Sequence, residues 1–295
     1  MRISARYLMM LGLVVVTAAS SVVAMQWQRR GNWRGDMDER RGVPVWDVQE
    51  SFPKDVFTFA RVQYSDGYGR YGYGGGGYGG SRSSRGWGKW ATDLPDSDLN
   101  FSLRLHQLTS IAVNPNPEIV TLDSEEVFDY PFLYLIEPGL LEFRPEEIEG
   151  LRKYCLNGGF LMVDDFWGND EWDNFYFQIK RVFPDREPEE VPLEHDIFQC
   201  VYPLKEKPQI PSVGAAWRYG ITWESRGRHS EEEVRTPHYR AIYDDAQRIM
   251  VFICHNTDLG DGWEEEGVDP DYFQEFSVKK SYPLGINIVT YAMTH

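Results

Sequence analysis

The sequence predicts a mixed α/β domain with a mostly parallel sheet that is covered by helices on both faces. Predicted strands and helices alternate along much of the chain, as they do in βαβ units. The strands FLYLI and FLMV are continuous apolar runs, which is typical of parallel strands buried on both faces. With 295 residues, of which 42% are hydrophobic and 15% aromatic, the chain can form a sizeable core.

Residues 1–24 are predicted to direct the protein out of the cytoplasm. Arg2 and Arg6 precede an apolar run, and Val22 and Ala24 have the spacing of a signal-peptide cleavage site. A cleaved signal peptide is the preferred interpretation, and an N-terminal anchor is the alternative, because the apolar stretch is near the minimum length that spans a bilayer. We therefore expect an exported protein, either periplasmic or membrane-anchored with its domain outside the cytoplasm.

The folded domain is predicted to cover residues 56–295, after a polar, Arg-rich linker at 25–55. Its first strand is predicted at 56–64, where β-branched and aromatic residues dominate. A loop at 67–88 follows, in which 11 of the 22 residues are glycine. Its GxGxxG match does not indicate a dinucleotide site, because no helix begins at the third glycine.

The remaining elements are predicted from periodicity, capping residues and helix breakers. In chain order they are a helix capped by Asp96 or Ser97, a short strand at 111–113, a strand at 131–137, a helix from Pro145 to a stop at Gly158, a strand at 160–165, a helix from about Asn169 to Pro184, a loop-rich insertion at 185–235, a hairpin at 238–256 that turns at 244–247, and a last helix at about 281–294.

The charge distribution argues against nucleic acid as a partner. Residues 91–295 contain 17 Lys and Arg against 39 Asp and Glu, so the folded part would repel a phosphate backbone. The N-terminal section is mildly basic instead, and it could lie against an anionic membrane surface.

Four segments resemble the hallmarks of the bacterial DUF4159 family, namely LRKYCLNGGFLMVDDFWG, KRVFPDREPEEVPLEHDIF, LKEKPQIPS and HNTDLGDGW. Members of that family are exported or membrane-attached and are similar to class I glutamine amidotransferase-like domains. The similarity runs over nearly all of residues 56–295. It implies a flavodoxin-like three-layer α/β/α fold, and it implies no established activity.

Glutaminase chemistry is not expected. Such an enzyme needs a cysteine on a tight turn between a strand and a helix, with a histidine as base. The strand that would supply this turn ends instead in Asp164 and Asp165. Cys254 and His255 are adjacent, but successive strand residues point to opposite faces, so they cannot form a dyad. A Cys200–Cys254 disulfide is conceivable, and buried free thiols are the default expectation for the cysteines.

Polar residues follow three of the predicted strands, and parallel neighbours would deliver them to one edge of the sheet. These candidate ligand-binding residues are Glu137, Asp164, Asp165, His255, Asn256, Asp258 and Asp261. Because neighbouring residues on an extended chain point apart, we expect one of the two adjacent aspartates to face a cleft and the other to cap the next helix.

The preferred functional hypothesis is a domain that binds a ligand or a protein partner in the cell envelope. One alternative is a hydrolase, acting on carbohydrate or another envelope substrate, with Asp164, Asp165, His255 and Asp258 as candidate catalytic residues and His195 as another candidate base. A second alternative is a structural component of a membrane-associated assembly. No cofactor is expected, although Asp164, Asp165, Asp258 and Asp261 could hold calcium.

Overall fold

The computed structural model describes residues 40–48, 55–65 and 88–295. The fold below is that of the compact unit at residues 41–295. The signal or anchor predicted at 1–24, most of the linker at 25–55 and the glycine-rich loop up to residue 87 lie outside the described residues. Within the described ranges, none of the helices has both the length and the apolar character needed to cross a bilayer.

A seven-stranded sheet, in the order β2-β1-β3-β4-β7-β6-β5, forms the centre of this unit. Its strands are β1 Ala60–Val62, β2 Glu118–Val120, β3 Phe132–Ile136, β4 Phe160–Phe166, β5 Glu189–Glu190, β6 His238–Tyr243 and β7 Ile249–His255. The pairs from β2 to β7 are parallel, whereas β6 is antiparallel to β7 and to β5. The five parallel strands therefore have the strand order of flavodoxin-like folds, which changes direction between β1 and β3.

The helices cover both faces of the sheet, which gives three layers. They are α1 Asp96–Leu108, α2 Pro145–Leu156, α3 Gly168–Val182, α4 Val213–Tyr219, α5 Glu231–Val234, α6 Leu259–Glu264, and α7 Pro270–Tyr272, which continues through a π-helical segment, Phe273–Ser281, into α8 Tyr282–Thr294. One core packs α1, α6 and α8 against the sheet, and the other packs α2 and α3 against the opposite face. The prediction of an α/β fold with a mostly parallel sheet and an added hairpin is confirmed.

Alternate residues of each central strand enter the two cores. On β4, Met162 belongs to the α1/α6/α8 side, while Leu161 and Val163 belong to the α2/α3 side. This period of two explains why the central strands read as uninterrupted apolar runs, since both sides of the sheet must be apolar. Asp164 continues the Met162 side, and this places its carboxyl group on the face of the sheet that carries α6.

Three local predictions were wrong. The strand expected at 111–113 is reduced to one bridge between Phe57 and Val113, and the edge strand β2 lies further along the chain. Helix α1 begins at Asp96, after Pro95, without a side-chain cap. Neither adjacent aspartate caps α3, because β4 extends through both of them and the helix begins only at Gly168.

Candidate functional site

The carboxyl ends of the three central parallel strands lie side by side. Ile136 pairs with Asp164, and Phe166 pairs with His255, so β3, β4 and β7 end at the same edge of the sheet. The chain turns sharply at these ends, since Glu137, Asp165 and Asn256 adopt left-handed backbone conformations with φ of 49°, 54° and 60°. Such backbone is uncommon outside glycine and concentrates at functional sites.

Five carboxyl groups gather on the α6 side of this edge, and we call them the inner cluster: Asp93, Asp164, Asp258, Asp261 and Glu264. Asp93, Asp261 and Glu264 each offer one carboxylate oxygen, and these oxygens lie within 4.8 Å of one another. The remaining two carboxyl groups, those of Asp164 and Asp258, lie next to these three around Gly260. A β-carbon added there would lie 2.7 Å from Asp93 Oδ2 and 3.2 Å from Asp258 Oδ1.

Asp164 lies at the base of the inner cluster and is fully buried. Its Oδ2 accepts hydrogen bonds from the Tyr134 hydroxyl and the Gly260 amide, each at 3.1 Å. Its Oδ1 has no hydrogen-bond partner among the described residues. A buried carboxylate oxygen without a partner is costly in a folded protein, so this atom requires an explanation.

Burial and mutual repulsion make the inner cluster reluctant to ionise. Burial raises the pKa of Asp164 to about 7, although hydrogen bonds from backbone amides and Tyr134 oppose the shift. Burial likewise raises the pKa of Asp93 to about 6. The pKa values of Asp258 and Asp261 are raised well above their ordinary value, first by burial and then by neighbouring carboxylates. Shifts of this size concentrate at functional sites.

A second group of charged residues, the mouth, lies beside the inner cluster and carries both signs of charge: Lys89, Glu137, Asp165, Glu171 and Arg226. Arg226 forms an ion pair with Asp165, and its Nη1 lies 3.7 Å from Glu137 Oε2 and 3.9 Å from Glu171 Oε1. Burial raises the pKa of Glu137, but Arg226 and Lys89 outweigh it and the net shift is downward. Lys89 and Arg226 therefore offset most of the negative charge that the carboxylates of the mouth carry.

The loop-rich insertion supplies the cation at the centre of the mouth. Arg226 lies between α4 and α5, and the neighbouring Arg228 forms an ion pair with Glu171. His229 is buried in the same loop, with Nε2 3.8 Å from Glu171 Oε1, and its ring lies against Gly168. Residues 185–235 thus contribute directly to the site.

One buried ion pair positions the segment that carries Asp93. Arg61 of β1 is fully buried and pairs with Asp98 of α1. The same guanidinium donates hydrogen bonds to the carbonyl oxygens of Trp90, at 3.1 Å, and Thr92, at 2.8 Å. Because these contacts hold the chain on both sides of Asp93, they fix the place of its carboxyl group in the inner cluster.

The structure does not bring His255 to the inner cluster. Its ring lies on the α3 side of the sheet, stacked on Phe166 and close to Trp172. Nε2 donates to the Gly168 carbonyl at 3.0 Å and Nδ1 accepts from Arg240 at 3.3 Å, in the tautomer that satisfies both contacts. Burial lowers the pKa of His255 to about 3. His255 therefore does not share the inner cluster with Asp258, and the hydrolase hypothesis, which counts both among its candidate catalytic residues, stays a prediction.

The other candidates divide between structural roles and the site. Asn256 bonds the backbone of α3 and of the α5 region, since its side chain accepts from the Gly168 amide and donates to the carbonyls of Glu233 and Thr236. His195 caps a short 3₁₀ turn by accepting from the Ile197 amide. Glu137, Asp164, Asp165, Asp258 and Asp261 do lie together at the strand ends.

The three cysteines are free thiols, so the disulfide considered between Cys200 and Cys254 is absent. Cys200 is exposed, and the expectation that all three are buried is wrong for it. Cys254 is buried on β7, and burial raises the pKa of its thiol well above the ordinary value. Burial also raises the pKa of Cys155 to about 12. Neither buried thiol is ionised at neutral pH, so neither is activated as a nucleophile.

Sequence reasoning missed Asp93, Glu264 and Arg226. Asp93 belongs to the segment between the glycine-rich loop and α1, and Arg226 belongs to the aperiodic insertion, so neither follows a predicted strand. Glu264 could have been found from HNTDLGDGWEEE, because it lies on the same helix as Asp261, three residues later. Only the tertiary structure brings Asp93 to that helix and Arg226 to Asp165.

The comparisons with known proteins agree with the extent of this fold. No curated protein matches the chain significantly. A family model described as a domain of unknown function, DUF4159, matches residues 58–293. That range includes all seven strands, the inner cluster and the mouth. Because the match spans most of the sequence, the chain belongs to the DUF4159 family.

Proposed function

We propose that this chain is an exported binding domain, similar to class I glutamine amidotransferase-like domains but without a glutaminase nucleophile, that takes a positively charged ligand or partner in the cell envelope. The observation that carries the proposal is the crowding of carboxyl groups at the strand ends. Four members of the inner cluster, Asp164, Asp258, Asp261 and Glu264, form no ion pair with a described residue. A bound cation would offset the mutual repulsion that opposes their ionisation, so the strand ends should take cations in preference to anions.

The chemistry of the strand ends supports binding rather than acyl transfer. A glutaminase attacks its amide substrate with a thiolate that an adjacent histidine activates. The thiol closest in sequence to the strand ends is Cys254, which is buried and un-ionised, and the adjacent His255 projects to the other face of the sheet. The last residues of β4 are Asp164, Asp165 and Phe166, and none of them is a cysteine.

The test uses a fluorescein-labelled decalysine peptide as a cationic probe, with binding measured by fluorescence polarisation at low ionic strength. We expect binding that weakens as salt rises and that is reduced in D258N, which removes one carboxyl group from the inner cluster. The matched control is D245N, because Asp245 is exposed and pairs with Arg186 far from the site. Absence of binding, or equal binding by D258N and D245N, would overturn the proposal.

The amidotransferase part is tested separately through ammonia release from glutamine. We expect no release above a protein-free blank, because no activated thiol is at hand. Release that disappears in C254S would show that Cys254 acts as a nucleophile and would refute the non-glutaminase assignment.

A further inference from the structure

We propose that the inner cluster is a binding site for one hard divalent cation, with Asp93, Asp261 and Glu264 as direct ligands and Ca²⁺ as the ion that fits best. This inference deepens the proposed function and rests on it, because it names the cation that the acidic strand ends take. The mouth is excluded from the site, since its own arginine and lysine already occupy its carboxylates.

The donor set defines the class of ion. All three ligands offer carboxylate oxygens, and hard cations such as Ca²⁺ and Mg²⁺ prefer these, whereas Zn²⁺ sites usually contain imidazole or thiolate. The oxygens lie within 4.8 Å of one another. Oxygens on opposite sides of Ca²⁺ are about 4.6–5.2 Å apart, while those around Mg²⁺ can be only about 4.2 Å apart. The upper limit of 4.8 Å is compatible with one hard cation of either kind between the three oxygens. Ca²⁺ fits better, because Mg²⁺ keeps several of its waters and is usually bound by only one or two carboxylates, whereas Ca²⁺ takes about 6–8 oxygens in flexible geometry.

The unpartnered oxygen of Asp164 is a second observation that points to a cation. Its carboxyl group is fully buried and bonds the same Tyr134 hydroxyl and Gly260 backbone around which Asp93 and Asp258 converge. Protein donors satisfy Oδ2, but no described residue satisfies Oδ1. A cation with its bound water, held beside Asp164, would satisfy this oxygen and compensate its charge.

The framework around the inner cluster is built to hold the ligands in place. Asp258 Oδ1 accepts from the Asp261 amide at 2.9 Å, which fixes the start of the helix that carries two of the ligands. Position 260 has no room for a side chain, because a β-carbon there would lie 2.8 Å from the Tyr134 hydroxyl oxygen. Arg61 holds the chain on both sides of the third ligand, Asp93, through the carbonyls of Trp90 and Thr92 before it and the carboxylate of Asp98 after it. Ordered ligands lose less entropy when the ion binds.

The experiment measures Ca²⁺ binding by isothermal titration calorimetry on the full chain after chelator treatment and dialysis. We expect about one ion per chain with a Kd at or below about 1 mM, and weaker binding of Mg²⁺. D261N and E264Q each remove one proposed ligand, and each should weaken Ca²⁺ binding by about tenfold or more. The matched controls are D245N and E125Q, which remove exposed carboxylates of the same types and should bind as the wild type does.

Folding is checked by near-ultraviolet circular dichroism and by thermal unfolding in chelator. Both site variants should fold at least as stably as the wild type without metal, because each replaces a buried carboxyl group that repels its neighbours on ionisation with a neutral amide. No detectable Ca²⁺ binding up to about 10 mM, or wild-type affinity in the D261N/E264Q double variant, would overturn the cation site. If Ca²⁺ does not bind at the inner cluster but decalysine still binds the protein, the cation site is refuted and the proposed function is retained. If neither binds, both fall.

Discussion

Replacement of His255 by glutamine should make the protein less sensitive to acid. His255 is buried between Phe166 and Trp172, and its Nδ1 faces the Arg240 guanidinium. Burial lowers the pKa of the ring to about 3 in the folded protein, whereas the pKa in an unfolded chain is about 6.5. Between these two pH values the His255 ring is protonated in the unfolded chain and neutral in the folded protein. The stability that neutral His255 contributes is therefore complete above about pH 6.5 and is lost as the pH falls toward 3.

The size of the effect follows from the span of the titration. Each pH unit below 6.5 lowers the free energy of unfolding by about 1.36 kcal/mol, so the wild type should lose about 2 kcal/mol from this group between about pH 7.5 and pH 5. H255Q lacks the titrating ring and should lose about 2 kcal/mol less over the same interval. The difference corresponds to roughly 4–8 °C in Tm for a domain of this size.

The measurement is urea unfolding of the wild type and H255Q at both pH values. The inner cluster titrates in the same range with the opposite sign, since the raised pKa values of Asp93 and Asp164 make the fold less stable as pH rises through about 6 and about 7. The comparison between variants cancels this contribution. H106Q is the control, because His106 is exposed and stacks on Trp46 at the surface of α1. An equal loss of stability in H255Q and the wild type would refute the reasoning.

Three further predictions concern the supports of the site and the thiols. R61M should lower the free energy of unfolding in urea by about 3–5 kcal/mol, because it leaves the buried Asp98 carboxylate without its partner, and a loss below about 1 kcal/mol would contradict that role. G260A should destabilise the protein by about 1–3 kcal/mol and weaken Ca²⁺ binding, since its β-carbon would collide with Asp93 and Tyr134, whereas G214A, where the nearest atom lies 3.8 Å away, should cost no stability. In native protein a thiol reagent should modify Cys200 alone, and Cys155 and Cys254 should react only after unfolding; rapid native labelling of C200S would show that a buried thiol is accessible.

The strands that sequence predicted best are those with the strongest apolar signal. FLYLI and FLMV became β3 and β4, and the hairpin turned where Asp244 and Gln247 predicted it. The short edge strands β2 and β5 were missed because they are exposed in part and carry glutamates, so their composition does not distinguish them from loops. The caps of two helices were also mispredicted, because Pro95 precedes α1 and because Asp164 and Asp165 remained part of β4.

Part of the candidate site was predicted because its residues adjoin the strands that have the strongest apolar signal. Residues that follow strongly apolar runs, such as Glu137, Asp164 and Asp258, could be assigned to one edge of the sheet as soon as parallel neighbours were assumed. His255 was grouped with them by its position in the chain, but the alternation of side chains along β7 carries it to the opposite face. The sequence shows that Cys254 and His255 point to opposite faces of the sheet, because side chains alternate along a strand. It does not show which of the two faces carries α6.

The sequence by itself determined the α/β class, the parallel core strands and the acidity of their ends, because these depend on local composition and on a period of two or of 3.6 residues. Only the tertiary structure decided that Asp93, Asp261 and Glu264 share one small space and that Arg226 neutralises the mouth instead. Those contacts join segments far apart in the chain, and their spacing depends on strand order and loop path. No local pattern encodes these, since they follow from which packing of the whole chain has the lowest free energy.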